Sequence, residues 1–472
     1  MRDTLILIVI SLCMISCRQK SERQTRVIHW KDLLSMKEEQ LTVENKGHNL
    51  HNTQVFSPDD QWIVYDNRND ETHIGQNCCI QMVNINTHAI RLLYTTAHQS
   101  VYGPGVGAAT FNPIDQKVLF IHGLLNSDFS RPYGIDRRTG VAIETAQPGL
   151  PVFMDARDVV SPFTPGALRG GTHAHTWSTD GKWVSFTYND AVMAELAKKD
   201  KKVNDLRMIG VMAPYGPVEV NKEPNGENND GKMFTVVVTH VTENPAPGSD
   251  EIEKAYEDGW IGTNGYVRLN GTRQKRAIAF LGNTRDSANN LLTEVFITDV
   301  PEDITKAVPE NPVEGTEKSR PMPPAGTNQR RLTFTADRKY PGVQSPRHWM
   351  RSQPDGSLIF FMMKDDDGIV QFYAVSPNGG SIRQITKNKF SIETTFNISP
   401  DGNYLVYGSD NAIYVTEIAD GKTKQVSPVR TGNTGKVSNV NWSNNGKMIA
   451  YNRKVSSGDT SYYQIFILKM DQ

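Results

Sequence analysis

From residue 56 onward the chain repeats one arrangement of polar and apolar positions: a turn rich in Pro, Asp, Asn and Gly, then a strand with apolar side chains at alternate positions. It appears as "FSPDDQWIVYDNR" at 56, "FNPIDQKVLFIHG" at 111, "WSTDGKWVSFTYND" at 177, "SQPDGSLIFFMMK" at 352, "ISPDGNYLVYGSD" at 398 and "WSNNGKMIAYNRK" at 442. A degenerate copy, "NGTRQKRAIAFLG", stands at 270. Pro presets φ, Asp or Asn caps the tight turn, Gly takes the positive-φ position, and a hairpin results. Behind each hairpin comes a third strand, a polar turn and a fourth, as in "AIYVTEIADGKTKQVS" after the copy at 398. Seven units of four short antiparallel strands predict an all-β chain folded as a seven-bladed β-propeller.

The last unit stops at its third strand, "YYQIFILKM", so the ring needs a fourth strand from elsewhere. "EEQLTVE" at 38–44 matches the fourth strands of the other units, and pairing it there closes the circle by joining the two ends of the chain. The propeller is therefore expected over residues 38–472, with polar inserts near 214–231 and 301–328 as surface loops.

Ahead of it, "MRDTLILIVISLCMISC" has a charged start, a short apolar run and a small residue before Cys17. That reads as a signal peptide over 1–17 ending in a lipobox, with Cys17 lipidated, a linker over 18–37, and an exported lipoprotein held at the membrane, in the periplasm or outer membrane, only by its acyl chains. Lys and Arg total 51 against 52 Asp and Glu, so no global field recommends nucleic acid as a partner. After processing only the adjacent Cys78 and Cys79 remain, which excludes a disulfide framework.

The stretch "FTPGALRGGTHAHTWSTDGKWVSFTYNDAVM", with "DDQWIVYDNRND" and "VLFIHG", resembles the YidR-like family of bacterial propellers, related to the TolB-type repeat. The resemblance implies the fold; function has to come from the site. A weaker resemblance is to the oligogalacturonate lyases, propellers that hold manganese in the central channel with three histidines and a glutamine. His173-Ala174-His175 matches their His-x-His segment, while Gly170 stands where their glutamine would be.

In a propeller the strand before each turn lines the channel, and positions four and two residues before the turn share a face because strand side chains alternate. Those positions carry His173 and His175 in one blade, His348 in another and Gln54 at the first, a set able to hold one divalent Mn, Zn or Fe ion. The plainer alternative is a polar lining that binds water. Loops between second and third strands open on the same mouth and bring Arg68, His122 and Arg285, with Arg169 just ahead of the His-x-His strand.

Two functions fit. In the first, a metal-dependent enzyme acts on an acidic polysaccharide by β-elimination: the metal draws charge from the uronate carboxylate, Arg68, Arg169 or Arg285 orients it, and His122 or another rim base takes the C5 proton. In the second, a non-catalytic TolB-like module recognises a protein or glycan partner at the channel mouth. A propeller-gated serine peptidase is excluded by the lack of a G-x-S-x-G elbow, and nucleotide binding by the lack of a P-loop.

Overall fold

A computed structural model describes residues 27–430 and 435–470. The signal peptide, Cys17 and the first part of the 18–37 linker lie outside the described residues. Six four-stranded sheets and one three-stranded sheet form seven blades. Blade 3, for example, runs Gly170–Trp177, Val184–Asp190, Met208–Ala213 and Phe234–Val237 from the centre outward. In blade 1 the innermost segment is irregular, reduced to the bridges Asn49↔Asp66 and Phe56↔Ile63.

Closure is as the repeat count required. Lys37–Gln40 pairs antiparallel with Thr460–Lys469, from Lys37↔Lys469 to Gln40↔Phe466, and supplies the outer strand of blade 7. The linker is partly structured: Trp30–Leu34 forms a helical turn, and Ile28 and Leu33 are buried against blades 6 and 7.

Middle strands such as "IFFMMK" and "VLFI" are apolar on both faces because each blade is sandwiched between two others. Among the described residues each of the seven blade–blade interfaces holds an apolar cluster, from Val64 with Phe120 between blades 1 and 2 to Ile63 with Ile467 between blades 1 and 7. There is no single core. The turns repeat one hydrogen-bond device: Ser57, Ser178 and Ser399 each donate to the Asp two residues on and accept from the backbone N–H of Trp62, Trp183 and Tyr404. Cys78 and Cys79 are bonded to each other, so no disulfide links distant segments of the described chain.

Blade 4 departs from the expected spacing. Its inner strand is Lys254–Trp260, and the segment around Asn270 forms a small hairpin, Tyr266–Val267 with Arg273–Gln274, before the second strand Ala277–Arg285. The turn has grown into an extra hairpin, which moved the inner strand away from the repeat.

A second departure recurs in four blades. The inner strands slip register between Gly107 and Thr110, His173 and Thr176, Tyr256 and Gly259, and Ser438 and Asn441. At each slip sits a residue with positive φ: Ala108 at 55°, Ala174 at 56°, Glu257 at 59° and Asn439 at 52°. These are β-bulges, in which two residues face one on the neighbouring strand and the alternation of side chains is broken.

Candidate functional site

The four bulge residues all face one cavity of about 310 Å³ at the mouth formed by the second-to-third-strand loops. Blades 1 to 5 each send one cation to its wall: Arg68, Arg138, Arg207, Lys254 and Arg347. Two are neutralised. Arg68 makes a two-pronged contact with Asp66, Nε to Oδ1 at 2.8 Å and Nη2 to Oδ2 at 2.9 Å, and Arg347 Nε donates to Glu257 Oε1 at 2.8 Å while its guanidinium stacks 4.4 Å from the Trp349 ring.

The other three have no ion-pair partner among the described residues. Arg138 Nη1 donates to the Tyr133 hydroxyl at 2.8 Å, Arg207 Nε donates to Asn189 Oδ1 at 3.2 Å, and Lys254 Nζ lies 4.5 Å from the Tyr256 ring centre. Burial and the charges of Arg138 and Arg347 hold Arg207 below its ordinary value; burial and Arg207 do the same to Lys254. Burial outweighs Arg347 in raising the Glu257 carboxyl. Like charges crowd a half-desolvated space, an arrangement that an anion would relieve.

The histidine set does not converge. His173 reaches the cavity, but its Nδ1 is 2.6 Å from Thr187 Oγ1 and its Nε2 3.3 Å from Asn189 Oδ1; burial, Arg138 and Arg207 hold it well below its ordinary value. Across the bulge, His175 turns into the interface with blade 2, where a Cβ on Gly140 would stand 2.9 Å from its Nε2. Burial and Arg138 push it down to about 3. His348 is enclosed between blades 5 and 6, accepting from Met362 N at 3.2 Å and donating to Pro346 O at 3.0 Å, and burial pushes it down to about 4. Gln54 stands at the opposite mouth, where its amide bridges the Trp177 backbone, donating to O at 2.8 Å and accepting from N at 3.0 Å. Among the described residues no three His, Cys, Asp or Glu side chains are grouped to hold a metal ion. The residues do not fit the manganese site that the lyase resemblance implied.

The rim residues also divide. Arg68 lines the cavity. His122 is buried, its Nε2 2.9 Å from the Tyr94 hydroxyl and its Nδ1 donating to Gly123 O, so it reaches no ligand. Arg285 pairs with Glu253 away from the cavity. Arg169, fully buried, pairs with Asp190 at 2.6 Å and donates to the carbonyls of Thr316 and Ser319, pinning the 301–328 insert. Replacing Arg169 by leucine is expected to speed tryptic cleavage after Lys318 about tenfold, read by limited proteolysis, because the insert loses its buried latch.

Beside the bulge at Glu257, the Asp258 carboxylate is buried, and neither oxygen makes a well-formed hydrogen bond among the described residues. Burial, opposed by Ser185 and Arg351, pushes it up to about 6. A folded-state value above the unfolded one costs stability where the folded group is charged, above pH about 6, and costs nothing below the unfolded value. Asp258→Asn should therefore stabilise the protein by about 3 kcal/mol above neutrality, a gain that shrinks as pH falls through 6 and disappears in acid, measured by urea unfolding across pH.

Arg138, Arg207, Lys254 and Arg347 are absent from the sequence-based set. Arg138 and Arg207 open third strands, and Lys254 opens the displaced inner strand of blade 4; counting back from the turns reaches none of these. A count of cations at strand ends facing the loop mouth was the available signal.

Fold and site together define a seven-bladed β-propeller with a cation-lined cavity at one mouth. The chain is 41% identical over 392 residues to the uncharacterized protein YidR of Escherichia coli (strain K12), covering 82% of this chain and 88% of that one. It belongs to the YidR family. Residues 105–227 match a family model described as a protein of unknown function, DUF3748. Among solved structures, an oligogalacturonate lyase from Vibrio parahaemolyticus superposes with a TM-score of 0.51 at 11% identity, over 93% of this chain and 98% of that one. TolB from Acinetobacter baumannii gives 0.35 at 12% identity, over 91% and 86%. At 11% identity the lyase likeness concerns the fold alone.

Proposed function

We propose that this chain is an exported, lipid-anchored binding propeller that captures an acidic glycan in the cavity between blades 1 and 5. The observation that carries the reading is the trio Arg138, Arg207 and Lys254, three cations around one cavity without a carboxylate of their own. Unpaired, partly buried cations are costly unless a ligand completes them, and a cavity of about 310 Å³ suits one or two sugar rings. Titration calorimetry with digalacturonate and with its neutral counterpart galactobiose tests it. Binding of the acid alone, weakened by salt, is expected; equal binding of both sugars, or of neither, overturns it.

A second reading, elimination without a metal, is favoured by Lys254. Held below its ordinary value, its amine could take the C5 proton of a uronate whose carboxylate sits on Arg138 and Arg207; the electron pair forms the C4=C5 double bond and the O4 leaving group takes a proton from water. Ultraviolet absorbance from an unsaturated uronate would establish it, together with its loss in Lys254→Met.

A further inference from the structure

We infer that His51 serves this cavity as a neutral hydrogen-bond donor locked in one tautomer, so that the ligand carries an uncharged acceptor oxygen beside its anionic group. The inference rests on the anion-site reading and narrows the ligand class to sugar acids and other hydroxylated carboxylates.

The lock is a chain of three side chains. Arg351, from the inner strand of blade 5, can only donate, and its Nη2 lies 2.8 Å from Asn52 Oδ1 and 3.0 Å from Asn52 O. That contact decides which way the Asn52 amide faces: the oxygen meets the guanidinium, and the nitrogen is left for His51. Asn52 Nδ2 is 3.0 Å from His51 Nε2. An amide nitrogen can only donate, so Nε2 is the acceptor and the proton of the neutral ring sits on Nδ1.

Several contacts hold the ring in place. It stands edge-on to Trp349 with centroids 6.0 Å apart, and Asn441 Nδ2 donates to the His51 carbonyl at 3.0 Å. Burial and the charges of Arg68, Arg347 and Arg351 hold it well below its ordinary value, which keeps it uncharged. His51 lines the cavity, and Nδ1 has no hydrogen-bond partner among the described residues. His173, the other imidazole on the wall, spends both nitrogens on Thr187 and Asn189. His51 is thus the imidazole with a donor to offer, placed by Asn52 and Arg351 as positioning residues.

A neutral donor beside fixed cations selects in a defined way. A bare anion satisfies the cations and leaves Nδ1–H facing nothing, whereas a carboxylate bearing a hydroxyl or ring oxygen satisfies both.

The test has a spectroscopic and a binding arm. In full-length protein carrying ¹⁵N-histidine, long-range ¹H–¹⁵N correlation, with the His51 signals assigned by their loss in His51→Gln, should show the Nδ1–H tautomer at neutral pH. The Nε2–H tautomer or an imidazolium overturns the inference whatever binds. In the second arm galacturonate and acetate are titrated. His51→Leu is expected to weaken galacturonate about tenfold and leave acetate unchanged, while His51→Gln, which keeps an N–H, stays within about threefold of the parent. Equal losses for both probes would mean that His51 only packs, and acetate bound as well as galacturonate by the parent would remove the acceptor oxygen while sparing the anion site. Binding of neither probe brings down the proposed function, and the donor role with it. Should His51→Leu not fold, Asn52→Asp replaces it: the carboxylate accepts from Nε2–H, the tautomer inverts in the spectrum, and the preference for galacturonate is lost.

Discussion

Glu38→Ala is expected to destabilise the protein by about 3–5 kcal/mol, seen as a lower midpoint in guanidinium unfolding. Glu38 lies in the strand that closes the ring, with its side chain only 4% exposed. Its carboxylate accepts from the Tyr451 hydroxyl, from Arg430 Nε at 2.9 Å and from Arg453 Nη2 at 3.3 Å. Arg453 is fully buried, so removing the carboxylate leaves an uncompensated charge at the seam as well as breaking the contacts of the closing strand. The neighbouring Glu39 is the control. It is 40% exposed and pairs with Lys469 at 2.7 Å, so Glu39→Ala should cost less than about 1 kcal/mol.

Replacing Arg138 and Arg207 together by glutamine is expected to weaken digalacturonate binding at least about 100-fold by calorimetry, since two charge-assisted contacts to one carboxylate disappear. The same pair of changes should leave the ligand-free protein as stable as before or slightly more so. Neither arginine has a carboxylate partner, and Arg138 and Arg347 bear on Arg207 as like charges. A structural pair would show the opposite, stability lost with the contact. This split between binding and stability separates residues kept for a ligand from residues kept for the fold.

The architecture was readable because its demands fall on residues with few substitutes. Gly181, Gly356, Gly402 and Gly446 occupy positive-φ turn positions, and the Ser-x-Asp turns close on themselves, so the repeat shows in sequence even where strand residues vary. The missing fourth strand of blade 7 pointed to residues 38–44, and the strand that fills the place is Lys37–Gln40. The site was less legible. The expectation that His173 and His175 share a face assumed a regular strand, and the bulge at Ala174 sends His175 into the neighbouring interface. An alanine in a left-handed conformation carries no sequence signature, and neither does Glu257 doing the same in blade 4. Lys254 was hidden for a different reason: an inserted hairpin separates its strand from the turn used for counting. Arg169 and His122 were correctly seen near strand ends, but proximity in the chain does not tell a rim residue from a buried latch.

The way the chain first joins the ring gives the molecule an orientation. Ile28 donates its N–H to Asp401 at 2.9 Å, accepts from the Tyr404 hydroxyl at 3.2 Å, and packs against Gly446, all at the tight-turn end of blades 6 and 7. The cation-lined cavity opens at the other end. With the acyl anchor proposed above, the turn end would be drawn toward the bilayer and the cavity left looking outward, like a cup moored by its base.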